Sequence, residues 1–328
     1  LHHRNHPSII MWSIGNEIPE QWSYEGRIIS EHLQNLCHQL DPTRMVTQGM
    51  DKAEAALNSG FAQVMDVPGF NYRVYKYDRN MKKLTTGFLL GSETASTVSS
   101  RGVYHFPVKW DVATPEKDGQ CSSYDVEWCS WSNLPEEDFM AMEDKPYTIG
   151  QFVWTGYDYL GEPTPYDEYW PSRSSYFGIM DLAGLPKDRY YLYRSVWNNK
   201  EHTLHILPHW TWPGREGKVT PVFVYTDYPE AELFVNGKSQ GRVKKQLGLK
   251  TDDQHPSTPE IAKTRAKRYR LMWDNVVYEP GELKVVAYNK NGQRAAETSV
   301  RTAGAANALK LESDRLQLTA DGNDLAYI

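Results

Sequence analysis

Two short apolar runs that each end in a glutamate decide the fold of this chain: Ser8-Ile9-Ile10-Met11-Trp12-Ser13-Ile14-Gly15-Asn16-Glu17 and Phe88-Leu89-Leu90-Gly91-Ser92-Glu93. A continuously apolar segment of this length, followed by a polar turn, is typical of a strand that is buried on both faces of a parallel sheet. In a (β/α) barrel, catalytic groups stand at the carboxyl ends of such strands. We therefore expect Glu17 and Glu93 to lie together at one end of a barrel.

Residues 1–204 alternate between strand and helix patterns. The strand patterns occupy 8–17, 45–48, 64–67, 88–93 and 147–154, and the helix patterns occupy 24–40, 51–58, 73–84 and 187–198. This order predicts an α/β fold, namely the carboxyl-terminal half of a (β/α)8 TIM barrel with its strands four to eight.

The pattern changes after residue 205. Short β-branched and aromatic runs now alternate with turns such as Asn236-Gly237 and Glu279-Pro280-Gly281, which are hairpin signals. Their spacing predicts an all-β, immunoglobulin-like β-sandwich over 205–303. Residues 304–328 are expected to open a further, truncated β domain. Because the chain lacks an initiator methionine and starts inside a barrel unit, we interpret it as a fragment whose parent has additional amino-terminal domains.

Composition narrows the classes of ligand. The 328 residues carry 36 basic and 42 acidic side chains, and this net charge of −6 gives no support to nucleic-acid binding. No stretch reaches the roughly 18 apolar residues of a membrane span. The 11 tryptophans and 21 tyrosines suit both core packing and stacking against sugars.

Cys37 is expected to be a buried thiol, and the sequence leaves open whether Cys121 and Cys129 are bridged.

Two carboxylates at one end of a barrel suggest cleavage of a glycosidic bond, which needs one acid and one partner carboxylate. For any single glutamate at a strand end, a solvated or salt-bridged surface position is the alternative. For Glu17 and Glu93 we favour catalysis, because each follows a buried run and is preceded by a small or amide residue.

Three segments resemble glycoside hydrolase family 2, the β-galactosidase and β-glucuronidase family. RNHPSIIMWSIGNE (4–17) looks like its acid/base region, GSETAS (91–96) is similar to the nucleophile region of the β-galactosidase branch, and FVWTGYDYLGEPT (152–164) is similar to its last-strand loop. The resemblance implies that Glu17 is the general acid/base and Glu93 the nucleophile of a retaining mechanism with a covalent glycosyl-enzyme. The anionic Glu93 should keep Glu17 protonated, since two neighbouring negative charges repel each other.

Four further side chains are candidate substrate contacts. By the resemblance, Asn16 donates to the sugar 2-hydroxyl, with a turn amide as the alternative. Tyr72 is expected to hydrogen-bond Glu93 or to be a core tyrosine. Trp154 offers a flat platform under the sugar or simple packing, and Asp158 is expected to bind a sugar hydroxyl or to brace its loop.

The sequence predicts no metal site and no cofactor. His2, His3 and His6 lack the spacing of zinc ligands. Some members of the family hold magnesium or sodium near the acid, so a cation beside Glu17 is left open. The acidic run 136–138 is expected to be a solvated loop or helix start, and the basic runs 242–245 and 263–270 to be solvated strand faces.

The residues favour a galactoside as the substrate. β-Glucuronidases of the family carry an Asn-Lys-Pro motif that is missing here, and β-mannosidases tend toward Asn-Asn-Glu where this chain has Gly15-Asn16-Glu17. The expected partner is a β-galactoside oligosaccharide or glycoconjugate, bound by its terminal sugar. The alternatives are another family 2 exo-β-glycosidase, and a catalytically silent carbohydrate-binding protein or inactive fragment. A homo-oligomer and a secreted or periplasmic location stay open.

Overall fold

The computed structural model describes residues 2–168, 174–250 and 258–328. The first part of the chain forms these elements in order: β1 (Met11–Asn16), α1 (Tyr24–Leu40), β2 (Met45–Met50), α2 (Ala53–Ser59), β3 (Val67–Asn71), α3 (Tyr77–Met81), β4 (Leu89–Thr94), β5 (Thr97–Val98), β6 (Asp111–Val112), β7 (Glu127–Trp128), α4 (Pro135–Asp144), β8 (Thr148–Val153) and α5 (Asp188–Trp197). Short 3-10 turns cover Pro19–Trp22 and Val74–Lys76.

Five of these strands lie side by side and parallel in the order β1-β2-β3-β4-β8. The central strands β2 and β3 are buried along almost their whole length, as the apolar runs predict, whereas β1 and β8 at the two edges are partly exposed. A helix lies between each strand and the next, which is the arrangement of part of a (β/α) barrel. All five carboxyl ends therefore point to one edge of the sheet.

The third strand begins later than the sequence pattern predicts, at Val67 instead of residue 64. The Gln34 side chain of α1 hydrogen-bonds the backbone just before this strand. Gln34 Nε2 donates to the Val64 carbonyl (2.6 Å), and the Asp66 N–H donates to Gln34 Oε1 (2.9 Å). These backbone groups are thus paired with a helix side chain and not with a neighbouring strand. The strand ends at Asn71, directly before Tyr72.

The second part of the chain forms two antiparallel sheets. Its elements are β9 (Leu204–Leu207), β10 (Val222–Thr226), β11 (Glu230–Val235), β12 (Lys238–Lys244), α6 (Pro259–Ala266), β13 (Arg270–Trp273), β14 (Glu282–Tyr288) and β15 (Arg294–Arg301). The sheet orders are β13-β10-β9 and β12-β11-β14-β15. Side chains of both sheets, among them Val224, Leu233 and Val285, share one buried core, so the two sheets pack face to face as a sandwich.

Residues 304–328, all of them described, form no strand, which differs from the expected opening strands of a further β domain. Apolar side chains in this segment, such as Leu309 and Leu316, are almost fully exposed. An isolated apolar run cannot form a strand, because its backbone N–H and C=O groups need a neighbouring strand as a partner.

The acidic start of α4 is buried, so the prediction that 136–138 is solvated was wrong, and the same holds for much of the basic run 263–270. The two runs face each other where the barrel part meets the sandwich. Ion pairs across this contact include Arg265–Glu137, Arg268–Asp144 and Arg270–Glu136. Separate charge runs look solvated in the sequence, but here each neutralises the other in a buried contact.

We expect Arg270→Met to destabilise the protein by about 3–5 kcal/mol, because it leaves the buried Glu136 carboxylate without its counter-charge. Both side chains are almost completely inaccessible. The urea midpoint of unfolding measures the effect. The double variant Arg270→Met/Glu136→Met should recover most of the loss, and Arg301→Met, which breaks an exposed pair with Glu282, should shift the midpoint far less. A midpoint for Arg270→Met as high as that of Arg301→Met would contradict the prediction.

The cysteines are free thiols: the disulfide between Cys121 and Cys129 that the sequence left open is not formed, and both are buried. Cys37 is only half-buried, on α1. Within the part of the chain that the structure describes, none of the helices combines the length and the apolar character needed to cross a membrane.

Candidate active site

The carboxyl ends of the parallel strands surround an open cavity of about 430 Å³. Its lining residues, within the described ranges, are Asn16, Glu17, Asp51, Tyr72, Arg73, Glu93, Trp131, Trp154 and Glu162. Both predicted catalytic glutamates are therefore in one cavity, together with three of the four predicted substrate contacts. Asp158 is the predicted contact that does not line it.

The backbone at this edge of the sheet is unusual. Glu17, Tyr72, Arg73 and Glu162 have φ values of 47°, 55°, 54° and 41°, in the left-handed region that residues other than glycine rarely adopt. Such conformations concentrate at functional sites, where the surrounding structure stabilises them. In Glu17 the turn is fixed by its own N–H, which donates to the Gly49 carbonyl of β2 (2.9 Å).

Asn71, at the end of β3, orients the Glu17 carboxylate. Its Nδ2 donates to Glu17 Oε1 (2.8 Å) and to Asn16 Oδ1 (2.9 Å), and its Oδ1 accepts from Ser92 Oγ (2.6 Å). The Ser92 hydroxyl thereby fixes which way the amide points. Because Ser92 directly precedes Glu93, this buried amide connects the ends of β1, β3 and β4 in one hydrogen-bonded row.

Gly49 makes this row sterically feasible. A Cβ atom at this position would lie 2.3 Å from Asn16 Oδ1 and 2.8 Å from Asn71 Oδ1, both closer than van der Waals contact allows. A glycine is required here for the close approach of the side chains, since its own φ is not in the left-handed region.

Tyr72 holds Glu93 through two hydrogen bonds. Tyr72 Oη donates to Glu93 Oε2 (2.6 Å), and the Tyr72 N–H donates to the Glu93 carbonyl (2.7 Å). The sequence left two roles open for Tyr72, and the structure combines them: the phenol bonds Glu93 and the ring is also buried. One carboxylate oxygen of Glu93 is thus fixed by a neutral donor.

Burial raises the pKa of Glu93 above its ordinary value, and negative charge at the neighbouring Glu17 would raise it further, whereas hydrogen bonds from Tyr72 and Asn16 lower it. The two carboxylates therefore interact, as the predicted acid and nucleophile must. The sequence predicts that Glu17, the more exposed of the two, retains the proton. That assignment stays a prediction.

Two tryptophans flank the carboxylates. Trp154 directly follows β8, and its N–H donates to the Thr94 carbonyl of β4 (3.0 Å). Its ring meets the Tyr159 ring edge-on, with 5.8 Å between centroids. Tyr159 Oη in turn donates to Glu162. Trp154 is half-buried and lines the cavity. Its role as a platform under the sugar stays a prediction.

Asp158 braces its loop, which was the alternative to a sugar contact. Its carboxylate pairs with the buried Lys187 at 2.7 Å and accepts from the Gly178 N–H at 2.8 Å. Burial lowers the pKa of Lys187 to about 8, while the nearby Asp158 opposes this shift. The prediction of a sugar contact for Asp158 has no support in this geometry, because the partners of its carboxylate are inside the protein.

Arg189 of α5 ties together the loops that follow β4 and β8. Its guanidinium is completely buried and pairs with Asp125 at 3.0 Å. It also donates to the Thr97 carbonyl (2.6 Å) and to the Phe177 carbonyl (2.8 Å). Thr97 lies four residues after Glu93, and Phe177 belongs to the loop that begins with Trp154. Arg189 is thus a positioning residue that holds the two walls of the cavity at a fixed separation.

No group of three or more His, Cys, Asp or Glu side chains in the described residues is arranged to hold a metal ion. His3 Nδ1 and His6 Nε2 lie 3.4 Å apart at the start of the chain, before β1. Neither histidine is among the described residues that line the cavity. The described residues therefore offer no ligand set by which a cation beside Glu17 could be tested, and this point stays open.

Four described lining residues carry no sequence prediction: Asp51, Arg73, Trp131 and Glu162. The same holds for Asn71, which orients Glu17 without lining this cavity. Asn71 carried a signal, since it precedes Tyr72 at a strand end and has an amide side chain. Glu162 lies in the quoted last-strand segment. Trp131 had no local signal, because it reaches the cavity from the long connection between β4 and α4.

Chemically, the cavity combines two interacting carboxylates, one oriented by an amide and the other by a phenol, with aromatic walls. A pair of carboxyl groups at the end of a (β/α) barrel is the arrangement that glycosidic bond cleavage uses.

The comparisons with known proteins agree with this chemistry. A family model described as "Glycosyl hydrolases family 2, TIM barrel domain" matches residues 1–167, and one described as "Domain of unknown function (DUF4982)" matches 217–296. The β-galactosidase BoGH2A of Bacteroides ovatus is 37% identical over 100% of this chain and 40% of its own length. A β-glucuronidase of Bacteroides fragilis is 27% identical over 74% of this chain and 34% of its own length.

Among solved structures, a β-glycosidase from Bacteroides vulgatus superposes with a TM-score of 0.72 at 31% identity, over 97% of this chain and 39% of that one. The chain thus spans about two fifths of the length of these relatives or less.

Proposed function

The chain belongs to glycosyl hydrolase family 2, and from this premise we propose that the protein hydrolyses terminal β-galactosides with retention of anomeric configuration. The observation that carries the proposal is the shared cavity of Glu17 and Glu93, with hydrogen bonds from Asn71 and Tyr72 that orient each carboxylate.

In the first step Glu93 attacks the anomeric carbon while Glu17 gives its proton to the departing oxygen. The glycosidic C–O bond breaks, and an ester forms between the sugar and Glu93. In the second step Glu17, now anionic, takes a proton from water, which displaces Glu93 and releases the sugar with the starting configuration. Tyr72 keeps one oxygen of Glu93 in place, so that the attacking carboxylate needs little reorientation.

The charge of the cavity supports a neutral sugar. Among the described residues, four carboxyl side chains line it, Glu17, Asp51, Glu93 and Glu162, against one guanidinium, that of Arg73. The carboxylate of a bound glucuronide would meet net negative charge at short range, which is unfavourable in a partly enclosed site. A galactoside brings no such charge, and the relative with 37% identity carries the name β-galactosidase.

We also assign the seven-strand sandwich to the immunoglobulin-like type. One sheet contains β9, β10 and β13, and the other contains β11, β12, β14 and β15. The chain therefore crosses between the sheets after β10, after β12 and after β13, and such crossings are typical of Greek-key connections. We propose 1–204 as the barrel part and 205–303 as this sandwich.

A panel of 4-nitrophenyl β-D-glycosides tests the function on the full-length protein. We expect the galactoside to have the highest kcat/KM among galactoside, glucoside, mannoside and glucuronide. Proton NMR of the reaction should show the β-anomer of galactose first, before mutarotation. A preference for the glucuronide would overturn the choice of sugar, and initial release of the α-anomer would overturn the retaining mechanism.

A further inference from the structure

A second cavity, of about 350 Å³, adjoins the catalytic one. Asp51, Tyr72 and Arg73 line both cavities, so these side chains form the wall between them. The second cavity lies beyond the ends of β2 and β3, on the side of α2 and α3. It is therefore placed to receive whatever is attached to a sugar in the catalytic cavity.

The charge of this second cavity is the opposite of the first. In the part of the chain that the structure describes, its charged lining residues are Lys52, Arg73, Lys76, Asp51 and Glu54, so that cations outnumber carboxylates there. Glu54 is in addition shared by Lys76 (3.6 Å) and by Arg79 (3.2 Å), which lies outside the cavity. The catalytic cavity repels an anion, whereas its neighbour attracts one.

Two of the cations are available to a ligand. In the described residues, no carboxylate lies within salt-bridge distance of Lys52 or Arg73. The ammonium of Lys52 lies 4.5 Å from the centre of the Trp22 ring, and Arg73 donates through Nη1 to the Asp51 carbonyl (2.5 Å). An unpaired guanidinium keeps donors free for a carboxylate or a sulfate.

The floor of the cavity suits a sugar ring. Ala53 and Ala55, both partly exposed, give it an apolar surface above the buried Phe70 ring. Asn80, which is only 2% exposed, also lines the cavity, and its Oδ1 has no hydrogen-bond partner in the described residues. A buried acceptor without a partner is costly, and a sugar hydroxyl is a suitable donor to it.

We propose that this second cavity is an aglycone subsite for an acidic sugar unit, a uronate or a sulfated sugar, linked to the neutral sugar in the catalytic cavity. The inference rests on the proposed glycosidase function and extends it to the leaving group. The opposite charges of the two cavities orient the substrate: the anionic unit is excluded from the catalytic cavity and held by Lys52 and Arg73 in the adjoining one. Sequence alone did not indicate this, because the two cations follow different strands.

The test compares kcat/KM of the full-length protein for three disaccharides: β-galactosyl-(1→4)-glucose, the corresponding glucuronate, and the corresponding glucose 6-sulfate. We expect at least a fivefold preference for one or both acidic substrates over the neutral one, and we expect it to weaken as salt is raised from about 0.01 to 0.15 M. The acidic disaccharide with the larger increase in kcat/KM over the neutral disaccharide identifies the preferred anion.

The variant Lys52→Gln/Lys76→Gln leaves Arg73 as the one lining cation among the described residues, against the carboxylates of Asp51 and Glu54. It should therefore remove most of that preference, measured as the ratio of kcat/KM between acidic and neutral disaccharides. Lys82→Gln, an exposed lysine after α3, is the matched control and should leave the preference intact. Equal kcat/KM for neutral and acidic disaccharides in the wild type, or a preference that survives the double variant, would overturn the proposal.

A binding measurement separates this inference from the function on which it rests. Calorimetric titration with methyl β-glucuronide and methyl β-glucoside 6-sulfate should show binding of at least one, weakened in the double variant and unchanged in Lys82→Gln. Absence of aryl galactoside turnover would defeat the proposed function alone. Absence of binding of both anions would defeat the subsite whatever the turnover.

Discussion

Replacing Glu93 with glutamine is expected to lower kcat for β-galactosides by on the order of 10⁴-fold or more, because an amide cannot form the covalent ester that divides the reaction into two steps. The substitution keeps the size of the side chain, so that the hydrogen bond to Tyr72 can persist and the fold should be unaffected. Steady-state turnover of 4-nitrophenyl β-galactoside by the full-length protein measures the loss, with the urea midpoint as a check on folding.

Tyr72→Phe is the matched control, since it keeps the nucleophile and removes only a donor to it. The Tyr72 hydrogen bond lowers the pKa of Glu93, and its loss should raise that pKa further. Glu93 must be ionised to attack, so the acid limb of the pH profile of kcat/KM should move to higher pH, with a much smaller fall in kcat. Turnover by Glu93→Gln within tenfold of the wild type would exclude Glu93 as the nucleophile.

Replacing Glu17 with glutamine should slow hydrolysis of substrates with poor leaving groups by about 10²–10⁴-fold, the contribution typical of general acid–base catalysis. A 2,4-dinitrophenyl galactoside needs no proton to leave, so its first step should be nearly unchanged and the glycosyl-enzyme should accumulate. Added azide, which needs no general base, should then speed turnover and yield β-galactosyl azide. The basic limb of the pH profile should disappear, since this limb reports the general acid.

Glu162→Gln is the comparison for this variant, because it removes another carboxylate of the same cavity. It should keep the basic limb and the wild-type ratio of rates between poor and good leaving groups. If Glu17→Gln lowered the rates for both leaving groups equally, Glu17 would not be the proton donor.

Much of the site follows from local sequence. The runs that end in Glu17 and Glu93 are contiguous, and a buried parallel strand brings the residue that follows it to the carboxyl edge regardless of what lies elsewhere. Tyr72 and Trp154 were found in the same way. Asp158 shows the limit of this reasoning, because its residue type suits a sugar contact and a loop brace equally, and only the distant Lys187 decides between them.

Other features depend on contacts between residues far apart in the chain. The acidic start of α4 and the arginines near β13 each look like a solvated run, and their burial could not be read from either one alone. The same applies to Asn71, whose amide joins Glu17 to Ser92.

The sequence by itself determined the order of strands and helices in the barrel part, the family, and the two glutamates at strand ends, since periodicity and short motifs are local properties of a chain. The tertiary structure alone decided how the carboxylates are oriented, which charge runs are buried, and that a cationic cavity lies beside an acidic one. These features depend on which side chains approach across loops and domains, and electrostatic interactions are set by such distances and by burial, not by position along the sequence.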